Sequence, residues 1–134
     1  MTDASDVIGT WNLVSWTALK NDEPAGFPMG ENTFGQIIYS AEGRMAASLM
    51  RQDYHNNTPQ TLPTSETCLC YGGNFHLEGD QVVHDVLYAT LPHWIGKPLK
   101  RTMVWDNGDL LLNTAPETSG SGNSYVHELR WRKM

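Results

Sequence analysis

Short apolar and β-branched segments alternate with turns along most of the chain. Turns that contain Gly, Asn or Asp recur near positions 22, 42, 79, 108 and 121, and such punctuation is typical of antiparallel strands. The strands are predicted at Gly9–Ala18, Phe34–Ser40, Arg44–Met50, Tyr71–Leu77, Gln81–Thr90, Pro98–Trp105, Asp109–Thr114 and Asn123–Arg132. Eight strands joined mostly by hairpins favour an all-β, closed up-and-down barrel, because closure removes exposed strand edges.

Helical patterns are weak throughout the chain. The one candidate for a helical turn is Ser65–Leu69, which Thr64 or Ser65 can cap. The polar stretch 51–66 is too long for a hairpin turn. Long loops in compact domains tend to be lids or binding loops, so this stretch is a candidate lid or binding loop.

Side-chain alternation assigns residues to the two faces of each predicted strand. In Gln81–Thr90 the carboxylate of Asp85 is expected to face water, which turns His84 and Tyr88 inward. In the preceding strand, Glu78 marks the outer face, so we expect His76 to be solvated and Tyr71 to be interior.

One arginine is expected inside the barrel. Arg101 shares a strand face with Met103 and Trp105, whereas Lys100 lies on the other face. A lysine is placed in water at lower cost than an arginine that shares a face with two large apolar residues. Arg101 is therefore our candidate for a buried or half-buried cation.

The face assignment of the last strand stays open. His127 and Glu128 are adjacent, so they point to opposite faces and cannot act as one dyad. If Leu129 and Trp131 face the interior, His127 does too, and Glu128 and Arg130 lie outside. If an arginine of this strand faces the interior instead, Glu128 shares its face.

Size and charge narrow the function. The chain has 134 residues, with 15 acidic and 9 basic side chains and a net charge of −6. We treat residues 1–134 as one domain, large enough to enclose a core or cavity without disulfides. The acidic pI near 5.2 argues against nucleic acid or an anionic membrane as partner, because both require a basic surface.

The two cysteines are too few for a disulfide framework. We expect Cys68 and Cys70 to lie on opposite faces of a strand and to remain reduced, as in an intracellular protein. No apolar run approaches the roughly 18 residues of a membrane helix, and the acidic N-terminal sequence does not resemble a secretory signal. A soluble, cytoplasmic protein is expected.

Motifs for metals and cofactors are not found in the sequence. The five histidines show no H-x-H or H-x-x-x-H spacing. A G-x-S-x-G elbow, a P-loop and a dinucleotide-binding fingerprint are likewise missing from the sequence. We therefore predict no metal and no cofactor.

A series of short motifs resembles the lipocalin-like domain family, the small one-domain group of bacteria and fungi. The similarity runs nearly end to end and is carried by Gly9-Thr10-Trp11-Asn12-Leu13-Val14-Ser15, Gly35-Gln36-Ile37-Ile38-Tyr39, Gly43-Arg44-Met45, Tyr71-Gly72-Gly73-Asn74-Phe75, Val83-His84-Asp85-Val86, Pro92-His93-Trp94-Ile95-Gly96 with Arg101 after it, and Leu129-Arg130-Trp131-Arg132.

The resemblance implies a small β-barrel with an internal cavity. It also implies that Trp11 sits at the closed end, with Arg130 or Arg132 across its ring as a cation–π lid. Some relatives and structurally similar small barrels, those like allene oxide cyclase among them, are cofactor-free cyclases, isomerases or dehydratases. Their substrates are polyketide-like or oxylipin-like.

The candidate catalytic residues are His84, Arg101 and Tyr71. A buried imidazole of near-neutral pKa can transfer a proton, and an enclosed guanidinium can stabilise an enolate or bind a carboxylate. The alternatives are that His84 is a hydrogen-bonded core histidine and that Arg101 pairs with Glu128 or Asp85. The candidate ligand-binding residues are Tyr39, Met45, Phe75, Tyr88, Trp94, Met103, Trp105, His127 and Trp131.

Three functions fit this sequence. The first is a cofactor-independent cyclase, isomerase or dehydratase of a small apolar natural-product intermediate, such as a polyketide. The second is a carrier or sensor that binds the same apolar ligand without chemistry. The third is a filled barrel that acts as an interaction module through exposed aromatics such as Trp16 and Trp94. The substrate remains open, as does the choice between monomer and homodimer.

Overall fold

A computed structural model describes residues 2–54, 68–118 and 120–134. In this part of the chain the secondary structure is almost entirely antiparallel sheet, as expected from the recurring turns. The strands are β1 Gly9–Lys20, β2 Glu23–Pro24, β3 Phe34–Tyr39, β4 Arg44–Met50, β5 Cys68–Glu78, β6 Gln81–Ala89, β7 Pro98–Asp106, β8 Asp109–Thr114, β9 Glu117–Thr118 and β10 Ser124–Lys133.

Pairing of the first and last long strands closes the sheet. The long strands follow the order β1-β3-β4-β5-β6-β7-β8-β10, and β1 also pairs with β10 from Trp11↔Lys133 to Lys20↔Tyr125. The two-residue strands β2 and β9 attach to β1 and β10. The predicted closed up-and-down barrel of eight antiparallel strands is therefore confirmed.

Four short elements accompany the long strands in the described residues. They are β2, β9, a helix α1 at Ala4–Val7 and a 3₁₀ turn at Pro92–Trp94. The proposed helical turn at Ser65–Leu69 is wrong where it can be compared, because Cys68 and Leu69 begin β5; residues 65–67 lie outside the described residues. Most of the predicted lid or binding loop, residues 55–66, also lies outside them. No helix of the described ranges combines the length and the apolar character that crossing a bilayer requires.

One end of the barrel interior is filled by apolar side chains. The indole Nε1–H of Trp11 donates to the carbonyl oxygen of Val7 in α1 at 2.8 Å, and both residues are buried. The ring of Trp105 lies 6.0 Å from that of Trp11. The indole bond satisfies a buried donor, so α1 is held over this end of the barrel.

The cation beside Trp11 is not the arginine that the resemblance implied. Lys133 Nζ lies 5.5 Å from the Trp11 ring centroid, and Lys133 pairs with Trp11 across the β1–β10 ladder. Trp131 is buried inside the barrel, so alternation turns Arg130 and Arg132 outward. The expected arginine lid is wrong because of this alternation.

Asp109 fixes the two outward arginines. Its carboxylate is only 4% exposed and accepts hydrogen bonds from Arg132 (3.0 and 2.9 Å) and from Arg130 (2.7 Å). These bonds, from Arg132 first and then Arg130, lower the pKa of Asp109 to about 2. The ionised carboxylate therefore ties the start of β8 to the end of β10.

A bulge between β5 and β6 changes the face of Tyr88. Gly72 pairs with Tyr88 and Gly73 with Val86, so Leu87 is an extra residue that reverses the alternation. Tyr88 is 51% exposed, and its hydroxyl would be the nearest atom to a Cβ added at Gly72. The expectation that Tyr88 points inward is wrong for this reason.

The expectation that Cys68 and Cys70 lie on opposite faces of a strand is wrong, although they do not bridge each other. Residues two apart on a strand share a face, and the sulfurs of Cys68 and Cys70 lie 3.9 Å apart. Both are free thiols. Burial raises the pKa of the Cys68 thiol, and the neighbouring Cys70 raises it further.

Substitution of Gly73 tests the bulge. A Cβ at Gly73 would collide with the carbonyl oxygen of Asp85, and backbone cannot move aside as a flexible side chain can. Gly73→Ala is expected to lower the free energy of unfolding by about 1–3 kcal/mol, measured by urea denaturation. Gly120→Ala is the control, because no described atom lies within 4 Å of its added Cβ; equal stability of the two variants would contradict the bulge geometry.

Substitution of Asp109 tests the arginine clamp. Asp109→Asn removes the charge that holds both arginines, so the Tm at pH 7 is expected to fall. Since the pKa of Asp109 is lowered from 3.8 to about 2, the stabilisation is complete above about pH 4 and is lost as the pH falls through 2. Asp106→Asn is the control, because its half-exposed carboxylate contacts Arg130 alone. A larger fall in Tm for Asp106→Asn would exclude the clamp.

Candidate functional site

The other part of the barrel interior is hollow. It contains a cavity of about 480 Å³, within the range usual for small-molecule sites. The lining is mostly aliphatic and aromatic, with a few polar groups. It comprises Trp16, Pro28, Ile37, Ala47, Leu49, Leu69, Tyr71, His84, Leu91, His93, Trp94, Arg101, Leu112, Thr114, Glu117, His127, Leu129 and Trp131. This cavity contradicts the interaction module considered above, which required a barrel filled by side chains.

His84 lies between two tyrosines in the cavity wall. It is on β6 and is 0% exposed, as its alternation with Asp85 predicted. Its Nε2 is 2.7 Å from the hydroxyl of Tyr39 on β3, and its Nδ1 is 2.9 Å from the hydroxyl of Tyr71 on β5. Both ring nitrogens are therefore engaged by protein groups, which is the hydrogen-bonded arrangement considered as the alternative to catalysis.

The imidazole of His84 is neutral at physiological pH. Burial, and after it the positive charge of Arg101, lower the pKa of His84 to about 3. The sequence-based expectation of a pKa near neutrality is therefore wrong, because it did not include full desolvation. A neutral imidazole has one nitrogen that donates and one that accepts.

Hydrogen-bond satisfaction selects one tautomer. Tyr39 is buried, and His84 is its only side-chain hydrogen-bond partner among the described residues. If Nε2 carried the proton, the Tyr39 hydroxyl hydrogen would have no acceptor there, at a cost of about 1–3 kcal/mol. We therefore assign the proton to Nδ1: Tyr39 donates to Nε2, and Nδ1–H donates to Tyr71.

This tautomer leaves the hydroxyl hydrogen of Tyr71 free. Tyr71 lines the cavity, so its O–H is available to an acceptor placed there. Burial raises the pKa of Tyr71, and the charge of Arg101 opposes that rise only in part. The phenol therefore stays protonated at neutral pH and acts as a donor.

Arg101 is a half-buried cation in the cavity wall, as its strand face predicted. On β7 it pairs with Val82, two positions from His84, so the two side chains are diagonal neighbours. Its guanidinium donates to the carbonyl oxygen of Lys100 at 3.2 Å. Among the described residues it makes no salt bridge, and Asp85 instead contacts His76.

His127 faces the cavity, which settles the alternation of β10. It lines the cavity with Leu129 and Trp131, so Glu128 lies on the outer face. Its Nδ1 accepts the indole hydrogen of Trp16 at 3.0 Å. Burial lowers the pKa of His127, with Glu117 acting against this and Arg101 reinforcing it. The neutral ring therefore carries its hydrogen on Nε2.

The other candidate ligand-binding residues lie in different parts of the barrel. Trp94 and Trp131 line the cavity, whereas Met45, Phe75 and Met103 are buried in the core without lining it. Tyr39 is not among the lining residues but contacts His84, which is. Tyr88 lies on the outer face. Trp105 is 40% exposed, because its ring lies beside Trp11 at the filled end of the barrel, where its indole N–H donates to Thr2.

Sequence reasoning missed several lining residues. Trp16, expected to be an exposed aromatic, is half-buried and hydrogen-bonded to His127. Thr114 and Glu117 lie at the end of β8 and in β9, a strand too short for a sequence signal. Leu69, expected in a helical turn, lies on the inner face of β5 and lines the cavity.

The described residues do not form a metal site. Within residues 2–54, 68–118 and 120–134, no set of three or more His, Cys, Asp or Glu side chains is arranged to hold one. Among the described lining residues, the polar groups are instead a phenol, a guanidinium, imidazoles, indole N–H groups, a hydroxyl and one carboxylate. These groups bind and polarise oxygen atoms and exchange protons.

Comparison with known proteins agrees with the barrel and its cavity. The family model of the lipocalin-like domain matches residues 8–134. A search of curated proteins finds no match. The match covers all eight long strands and the cavity wall, and barrels of this kind bind small molecules. The chain therefore belongs to the family of lipocalin-like domain proteins.

Proposed function

We propose that the protein is a cofactor-independent isomerase, cyclase or dehydratase that acts on a small apolar carbonyl compound, such as a polyketide intermediate. The observation that carries the proposal is the hydroxyl of Tyr71, held by a buried neutral His84 with its own hydrogen free for the cavity. A fixed donor in a site of low dielectric stabilises charge that develops on a substrate oxygen.

Tyr71 and Arg101 act on the same substrate oxygen in this proposal. The Tyr71 hydroxyl donates to the carbonyl oxygen, and Arg101 stabilises the negative charge that forms on it. Glu117, the carboxylate among the cavity-lining residues, removes the hydrogen from the adjacent carbon as a proton. The C–H electron pair forms the enolate double bond. Return of the proton to another carbon completes an isomerisation without any oxidant or reductant.

His84 acts through Tyr71 and is a positioning residue. Its pKa of about 3 makes it a weak base, so the direct proton transfer expected from sequence is replaced by an indirect role. Nδ1–H fixes the Tyr71 oxygen, and Tyr39 fixes the ring through Nε2. The chain Tyr39–His84–Tyr71 thereby holds the reactive phenol without occupying its hydrogen.

The second candidate is a carrier or sensor of a small hydrophobic ligand. Its supporting observation is that both nitrogens of His84 are used within the protein, as in a purely structural network. In that case the cavity binds and orients a ligand without chemistry. Only a rate measurement separates the two candidates, because binding is common to both.

Hydrogen exchange of a simple ketone tests the enzyme. With 2-tetralone in D₂O, the wild-type protein is expected to accelerate exchange of the hydrogens next to the carbonyl, followed by ¹H NMR. Tyr71→Phe is expected to lower this acceleration about 10²–10⁴-fold, because the donor to the oxygen is lost while the ring remains. Calorimetry should show that 2-tetralone still binds.

Tyr88→Phe is the matched control, since it removes a hydroxyl on the outer face of the barrel, and its exchange rate should equal that of the wild type. If wild type and Tyr71→Phe bind 2-tetralone equally and neither accelerates exchange, the catalytic proposal is wrong and the carrier replaces it.

A further inference from the structure

The cavity wall holds a buried donor with no acceptor. Trp131 lines the cavity, and its Nε1–H is fully buried without a hydrogen-bond partner among the described residues. Buried polar groups of folded proteins are nearly always paired, and each exception calls for an explanation. A bound acceptor in the cavity would provide one here.

Three other donors belong to residues that line the same cavity. The Tyr71 hydroxyl hydrogen is free, because His84 donates to the Tyr71 oxygen. His127 presents Nε2–H, because its Nδ1 accepts from Trp16. Arg101 has five N–H groups, of which one bonds to the Lys100 carbonyl.

Arg101 also brings an uncompensated charge. Its guanidinium lies within salt-bridge distance of no described carboxylate, and it shares the cavity with apolar side chains such as Leu112 and Leu129. A partly desolvated charge is stabilised chiefly by a hydrogen-bonded counter-charge. The planar fork of the guanidinium matches a carboxylate in two parallel hydrogen bonds.

Acceptors in the wall are few. The Thr114 hydroxyl already accepts from the backbone N–H of His127. Glu117 is exposed on β9 and lies more than 4 Å from any described cation, so it does not neutralise Arg101. The donors therefore outnumber the acceptors, and one of them carries a full positive charge.

We propose that the natural ligand is a carboxylate: a small acid whose carboxylate sits on Arg101 and the Trp131 Nε1–H, with its apolar body against the cavity wall. This inference concerns the same cavity as the proposed function and names its ligand class. If the protein is also the proposed enzyme, the ligand is an oxo acid: Tyr71 donates to its carbonyl oxygen, and N–H groups of Arg101 that the carboxylate does not use face the same oxygen. The carboxylate preference holds whether or not the protein is a catalyst.

A matched pair of probes tests the charge. We expect 2-naphthylacetate to bind wild-type protein about 10- to 100-fold more tightly than 2-naphthylacetamide in calorimetry at pH 7 and low salt. The two probes have nearly the same shape; the amide lacks the negative charge and has an N–H₂ donor in place of one acceptor oxygen. In Arg101→Met the preference is expected to disappear, while the amide still binds.

Arg44→Met is the control variant. It changes the net charge of the protein by the same amount, but Arg44 is exposed on the outer face of β4, so the preference should persist. Trp131→Phe, which keeps a ring and removes the N–H, should weaken binding of the acid. Circular dichroism checks that each variant is folded.

Equal affinity of the wild type for acid and amide would overturn the inference, whatever the variants do. It would also be overturned if neither probe bound, or if Arg101→Met kept the full preference. A carboxylate preference without ketone exchange would support the inference and contradict the enzyme. Exchange without that preference would do the reverse.

Discussion

Desolvation of a single imidazole constrains the arrangement of three strands. His84 has no contact with water, so its neutral form is strongly favoured and both nitrogens require partners inside the barrel. Tyr39 on β3 and Tyr71 on β5 supply them from opposite sides of the ring. Because the described residues offer the Tyr39 hydroxyl hydrogen no acceptor other than Nε2 of His84, the proton of His84 is assigned to Nδ1, and the hydroxyl hydrogen of Tyr71 is left free. The chemistry of the cavity thus originates in a packing requirement of the core.

Much of this arrangement is predictable from local patterns. Turn spacing gives the number of strands, and antiparallel closure follows because a small isolated sheet would leave its edges exposed. Because Asp85 and Lys100 are charged and are expected to face water, alternation places their neighbours His84 and Arg101 on the inner faces of their strands. These assignments succeed because a charge in an apolar core is costly, so a single carboxylate or ammonium fixes the face of a whole strand.

The remainder depends on events that a strand pattern does not encode. One extra residue at Leu87 moves Tyr88 to the outer face, and simple alternation does not foresee a bulge. The choice of Lys133 over Arg130 at Trp11 depends on the β1–β10 register, which only the closed barrel defines. The hydrogen positions around His84 require the partner of every donor, and those partners come from strands distant in sequence.

Side-chain ¹⁵N NMR of His84 tests the central claim most directly. A neutral imidazole with its proton on Nδ1 has distinct Nδ1 and Nε2 shifts, and the pattern should persist from pH 7 down to about pH 4, since the pKa is lowered to about 3. Tyr39→Phe should alter the Nε2 shift first, because that nitrogen loses its donor. An imidazolium signal that titrates near pH 6.5, or a proton found on Nε2, would contradict the proposed network and the free Tyr71 hydrogen that depends on it.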